Sequence, residues 1–277
     1  MTRRPARPVF TPAVDQATAG YTMPLEVLAR AAGRAGLRTL EVPAFSVDAY
    51  LHLHGGAGLG ALLAHTGVRI GQLSCGSGVP ADLTVAAVQW TDAVAAWRRA
   101  CRTALLAGCS RLSVFVPRGA QDLTLVAGRL SELAAVAGSM SPDLVVSVEI
   151  HSAVLLAQAA RLVELVPAAR LLVDVAALAL VGLDPVAHVL ALPAGSVGWV
   201  HLADLPGRPA PGERPERLLP GLGGLPLPAV LEGLRERGYR GPVAVEVPVP
   251  DADTGRVAAA GCCFSTGPLA GFFDLAE

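Results

Sequence analysis

Residues 144–204 read LVVSVEIHSAVLLAQAARLVELVPAARLLVDVAALALVGLDPVAHVLALPAGSVGWVHLAD. Three short runs in this stretch are rich in Val, Leu and Ile: Leu144–Ile150, Arg170–Val175 and Val197–Ala203. They are apolar on both faces, as parallel strands covered by helices are. Between them lie Ala/Leu segments with helical spacing, Ala153–Val166 and Pro185–Leu192. The same alternation runs outward in both directions. Strands are predicted at Pro8–Pro12, Arg38–Val42, Val68–Leu73 and Arg111–Val116 before the stretch, and at Pro242–Val247 after it. Further helices are predicted at Pro24–Ala35, Gly58–His65, Trp90–Ala107, Gln121–Ala137 and Pro226–Arg237. In the last of these, Leu227, Val230, Leu231 and Leu234 repeat at i, i+3, i+4 and i+7, and Gly238 stops the helix.

Eight strands and about seven helices in 277 residues predict an α/β fold, a single (β/α)8 barrel over residues 1–277. The competitor is a doubly wound open sheet, but no G-x-G-x-x-G follows the first strand to support one. No composition shift marks a domain boundary. The stretch 206–220, with five prolines, reads as a long loop after the seventh strand, and a loop of that length is usually functional. The tail 249–277 is expected to supply a final helix.

Composition removes several classes. The 22 basic and 23 acidic residues give a formal charge of −1, so no broad basic face for nucleic acid is expected. The chain has no lysine, which excludes Schiff-base chemistry, a pyridoxal aldimine and a Walker-type phosphate loop. Mean hydropathy is +0.50. Its two longest uncharged stretches, Ala49–Val68 and Pro185–Ala203, are broken by His, Gly or Pro and read poorly as membrane spans. The start, MTRRPARPVF, has no following apolar run of the kind a secretory signal carries. Five cysteines without Cys-x-x-Cys spacing read as free thiols of a cytoplasmic protein.

In a barrel of this kind the active site lies at the carboxyl ends of the strands. Polar residues ending apolar runs are therefore the ones to find. They are Glu149, Asp174, His201 and Glu246, separated by 25, 27 and 45 residues. The first two intervals fit one β/α repeat each, and the third absorbs the loop 206–220. Three carboxylates cannot share an apolar mouth as bare anions. A divalent cation resolves this, and a donor set of carboxylates plus one imidazole suits Mn²⁺, Mg²⁺, Co²⁺ or Fe²⁺. His151 would share the direction of Glu149 if the strand continued past Ile150. Glu41, ending the second strand, could reach the same mouth and hydrogen-bond a ligand hydroxyl. His52 and His54, before Gly55–Gly56, read as a loop, and Ser74–Ser77 as a Gly/Ser loop able to touch phosphate.

At these residues the chain resembles the xylose-isomerase-like TIM-barrel sugar isomerases and epimerases, which include hydroxypyruvate isomerase. HLADLPGRPAPGE (201–213) is similar to that enzyme's A-D-x-P-G-R-x-x-P-G pattern. GLGGLPLPAVLEGLRERGYRGPVAVEV (221–247) is similar to the family's ending. GLRTLEV around Glu41 and AGCSRLSVFVP around Cys109 fit more loosely, and the likeness spans Thr11 to Pro250. It implies one divalent cation, manganese first, on Glu149, Asp174, His201 and Glu246. It implies Glu149 and Glu246 as the acid/base pair that moves a proton through an enediolate of a small hydroxy-carbonyl substrate. It also implies Arg208 as a fork for a substrate oxygen, and paired barrels as homodimer or homotetramer. One departure stands out: many relatives carry D-x-x-H where this chain has Asp174-Val-Ala-Ala177. His151 is the candidate replacement for that imidazole. The alternatives are a dehydratase of the same fold and a non-catalytic barrel acting as a partner or regulator. An endonuclease of the superfamily would need more metal-binding histidines and a basic face.

Overall fold

The computed structural model describes residues 9–75, 82–210 and 212–273. Eight strands form among them: β1 Thr11–Asp15, β2 Thr39–Pro43, β3 Arg69–Ser74, β4 Arg111–Val116, β5 Val145–Ile150, β6 Ala169–Asp174, β7 Val197–Leu202 and β8 Pro242–Val245. Each pairs in parallel with its sequence neighbour and β8 returns to β1, which closes the barrel. The helices on its outside are α1 Leu25–Arg34, α2 Ala44–Thr66, α3 Ala87–Leu106, α4 Leu123–Met140, α5 Ala153–Leu156, α6 Ala159–Leu165, α7 Val175–Leu180, α8 Pro185–Ala191, α9 Leu227–Glu236 and α10 Thr254–Ser265. Short turns of 3-10 helix follow β1 and α10.

The main apolar core lies between sheet and helices, where Leu40, Leu112, Val148 and Val200 meet Leu28, Leu130 and Leu234. A separate small layer, Ala13, Leu172, Trp199 and Ala244, fills the inside of the barrel. α4 is long and apolar enough to cross a bilayer by length and composition. Here it packs against β5, α3 and α6. Its buried Arg129 donates to the carbonyls of Leu83 and Val85 and lies over the Trp90 ring.

The predicted elements need four corrections. The first strand is Thr11–Asp15, not Pro8–Pro12. Ala13 to Asp15 find register with Thr39 to Glu41, whereas the amides of Val9 and Phe10 bond to Phe272 and the Phe10 ring meets Tyr239 and Phe273. Secondly, His52 and His54 lie on α2, not in a loop, because that helix starts at Ala44 and kinks only at Gly55, with φ of 65°. Thirdly, the segment 153–166 breaks into α5 and α6. Finally, α7 was not expected. It forms because Asp174, at the end of β6, accepts the Ala177 amide and caps it. The tail supplies α10 as expected. The Gly/Ser loop beyond Cys75 lies outside the described residues.

Two register shifts aim the side chains at the mouth. Between β2 and β3 the partners jump from Leu40–Ile70 to Glu41–Gln72, leaving Gly71 as the extra residue. Between β6 and β7 they jump from Leu171–Val197 to Leu172–Trp199, leaving Gly198. A Cβ at Gly71 would lie 2.3 Å from Thr39 Cγ2, and one at Gly198 would lie 2.6 Å from Ser147 Oγ. These bulges re-aim the strands so that Gln72 faces Glu41 and His201 stands beside Asp174.

Candidate active site at the carboxyl end of the barrel

Glu149 on β5, Asp174 closing β6, His201 on β7 and Glu246 just past β8 converge as the sequence predicts. One ligand atom from each lies within 4.8 Å of the others. Glu149, His201 and Glu246 line a cavity of about 240 Å³, together with Phe115, Val114, Asp15 and Tyr21.

His201 is 3% exposed and its two nitrogens have different surroundings. Nε2 lies 2.7 Å from Glu41 Oε2. Nδ1 is buried without a hydrogen bond and points between Glu246 Oε2 at 3.4 Å and Glu149 Oε1 at 3.7 Å. Glu41 is fully buried, and Gln72 Nε2 donates to its Oε1 at 2.8 Å. Both its oxygens are thus engaged. Glu41 lines the cavity as expected and in addition holds the imidazole by its Nε2, the position a carboxylate takes behind a metal-binding histidine.

Asp174 is equally committed. Oδ1 caps α7, and Oδ2 accepts from Arg217 Nη2 at 2.5 Å. Arg217 Nη1 also donates to Glu246 Oε2. This arginine is absent from any sequence pattern, and it reaches the mouth because its neighbour Leu218 pairs backbone to backbone with Asp204. The side chain of Asp204 then gathers the amides of Leu205, Gly221, Gly223 and Leu225, which pins the loop 206–220. Arg208, expected to bind substrate, is not brought in. It is exposed, donates to the Gly182 carbonyl at 2.8 Å and lines a separate surface depression with Arg214. His151 does face the cavity, with Nε2 3.2 Å from Glu149 Oε1 and its ring edge-on to Phe115.

Asp15 is the other residue the sequence reading missed. Ending the first strand at Pro12 hid it; continued to residue 15, the strand-end rule finds it. Its Oδ1 accepts the Ala17 amide at 2.6 Å, and it forms a second possible donor group with Glu41 and His201.

Five carboxyl groups therefore share this mouth with one guanidinium and two imidazoles. Burial, reinforced by Glu41 and Glu246, pushes Asp15 well above the usual carboxylate range. Burial also raises Asp174, against the pull of Arg217. Burial opposes ionisation of Glu149 and Glu246 too, but the contact with His151 and the nearby charge of His201 beside the first, and the charges of Arg217 and His201 near the second, hold both low. Burial would lower His201, yet Glu41 and Glu246 raise it well above its ordinary value. The site attracts positive charge. Three carboxylates and a buried, unpartnered imidazole nitrogen held from behind are the hard donor set a divalent cation takes. The residues fit such an ion. Arg217 bridges two of the four, so a cation held by all four would have to displace it.

The profile of the xylose isomerase-like TIM barrel family matches residues 29–263, and the chain belongs to that family. Among solved structures it is similar to a xylose isomerase domain protein from Alicyclobacillus acidocaldarius. That pair is 23% identical with a TM-score of 0.74, over 91% of this chain and 95% of the other. It is also similar to the IolI protein solved with a bound zinc atom, at 15% identity and TM-score 0.79, over 95% and 99% of the two chains. A third is D-psicose 3-epimerase from Clostridium cellulolyticum H10, solved with D-tagatose, at 13% identity and TM-score 0.69, over 91% and 96%. No curated protein matches.

Proposed function

We propose that the protein is a divalent-metal-dependent isomerase or epimerase acting on a small hydroxy-carbonyl compound. The observation that carries this reading is the convergence of Glu149, Asp174, His201 and Glu246 with His201 Nδ1 buried, unpartnered and aimed among the carboxylates. These four residues would hold the cation, with manganese the first choice. When bound it supplies Lewis acidity, polarising a carbonyl and stabilising negative charge on oxygen as a neighbouring proton leaves. Glu149 is kept anionic by its histidine partners and removes the carbon-bound proton. Glu246, protonated once Arg217 has left it, gives its own proton to the adjacent carbon in an isomerase or to the other face of the same carbon in an epimerase, and Glu149 passes the proton it took to solvent. His151, beside Glu149, supplies the imidazole that Ala177 cannot. Arg217, released from Asp174, offers its fork to a substrate oxygen, and Phe115 and Val114 keep water from the Glu149 side.

Elemental analysis of the purified protein beside Asp174→Ala tests this reading. About one cation per chain, lost in the variant, is the expected result. Ketoses and hydroxy-keto acids are then screened for exchange of a carbon-bound proton with deuterated solvent, and Glu149→Gln should lower that exchange at least about 100-fold. An absence of metal, with no thermal stabilisation by any added divalent ion, removes the enzyme reading. It leaves a non-catalytic barrel in which Arg217 neutralises the mouth. A cytoplasmic homodimer or homotetramer completes the proposal, and a monomer by light scattering at micromolar concentration would remove that part.

A further inference from the structure

A second concavity, of about 350 Å³, opens at the opposite end of the barrel, where the strands begin. Arg111 starts β4, Arg170 is second in β6, and Arg237 and Arg240 come from the turn between α9 and β8. All four line it, together with Tyr239 and the bulge residue Gly198, and no carboxylate does. Arg170 Nη1 donates only to the carbonyls of Pro167 and Ala169, and Arg240 Nη1 to those of Arg235 and Tyr239. Among the described residues none of the four has a carboxylate at ion-pair distance, whereas Arg161, Arg217 and Arg235 do. Arg237 Nε is buried with no partner. So are Ser196 Oγ, beside the rim residues Gly195 and Val197, and Ser147 Oγ, behind Gly198.

Polar residues at this end of a barrel ordinarily serve stability. Four guanidinium groups around one hollow do the reverse, because like charges repel most where water is partly excluded. The arrangement is complete only with a counter-charge. A single carboxylate satisfies one guanidinium fork, while a tetrahedral oxyanion presents oxygens to several at once and carries up to two charges at neutral pH. We propose that this concavity binds a phosphate-class oxyanion, either free phosphate or the phosphoryl group of a small metabolite. The inference is independent of the chemistry at the other mouth.

Calorimetric titration of the full chain with inorganic phosphate, in chelator and at constant ionic strength set by chloride, tests it. One saturable site is expected. Removing one charge-assisted contact should weaken it about tenfold in Arg170→Gln and in Arg237→Gln, with unchanged circular dichroism. Arg240→Gln, at an exposed position, gives the same test with little bearing on folding. Glycerol 3-phosphate distinguishes the sources: tighter binding than phosphate supports a phosphorylated metabolite, and weaker binding supports the free ion. No saturable binding of either, or binding equal to the parent's in all three variants, overturns the proposal.

Discussion

At the scale of single residues the mouth is a balance of charges, and two substitutions read that balance from opposite sides. Glu41→Ala leaves His201 Nε2 and Gln72 Nε2 without their acceptor. The imidazole can then turn, and cation affinity should fall about 10–100-fold, as losses behind metal-binding histidines do. Competition with a chromophoric chelator measures this, and unchanged affinity would show that His201 does not bind through Nδ1. Arg217→Ala acts in the other direction. It strands the buried Asp174 beside the partly buried Glu246, which should destabilise the chain by about 3 kcal/mol. Added Mn²⁺ should then raise its melting temperature more than it raises the parent's. An equal rise in both would mean that the guanidinium and the cation do not compete. These roles also divide what could be read in advance. The four candidate ligands were legible because each is a lone polar group ending an apolar run. Arg217 was not, because only the fold of an irregular loop brings it back over the barrel. Glu41 was found but its contacts with His201 and Gln72 were not, since a strand position states direction and not which neighbour will share it.

At the scale of elements, most strands were legible from their apolar runs, while the devices between them were hidden. The bulges at Gly71 and Gly198 have no local pattern; they are defined by register with a neighbouring strand. The loop after β7 was expected as a long irregular segment, yet its organiser is the buried Asp204, whose carboxylate accepts four backbone amides. Gly223 is part of the same design, because a Cβ there would lie 2.1 Å from the Leu205 carbonyl oxygen. Asp204→Ala leaves four amides without an acceptor and should cost on the order of 3–5 kcal/mol. It should also expose the segment 206–220 to limited proteolysis. Asp204→Asn keeps one accepting oxygen, so its loss should be smaller. Equal stability of Asp204→Ala and the parent would sever the loop from this anchor.

Helix α8 carries a different signal. Burial against Leu171, Leu178 and Ile150 holds the half-buried His188 below its ordinary value of 6.5. As pH falls through that value the unfolded chain takes the proton first, so this position removes stability below about pH 6.5 and none above it. His188→Leu should therefore lose less stability than the parent between pH 7 and pH 5. Parallel urea midpoints across that range would contradict the assignment.

At the scale of the whole molecule, a chain of net charge −1 keeps its charges apart along the barrel axis, with carboxylates at one mouth and arginines at the other. What separates them is the interior layer of Ala13, Leu172, Trp199 and Ala244. Three of its neighbours are small for a reason: the fully buried indole of Trp199 takes the space that side chains at Ala13, Ala244 and Gly71 leave free. A Cβ on Gly71 would already lie 3.0 Å from Trp199 Cη2. The indole Nε1 is buried without a hydrogen bond, so this ring is present for its volume and not for its polar atom. Volume and polarity then make opposite predictions for two variants. Trp199→Ala removes the filling and should destabilise by about 3–5 kcal/mol. Trp199→Phe keeps much of the volume and relieves an unsatisfied donor, so its loss should be only about 1–2 kcal/mol. Urea unfolding of both variants decides the matter. If the phenylalanine variant falls as far as the alanine one, the indole nitrogen contributes through a partner and the layer is not simply packing. If both stay near the parent, side chains from the mouths can close over the gap, and the two charged ends are less insulated from each other than this layer implies.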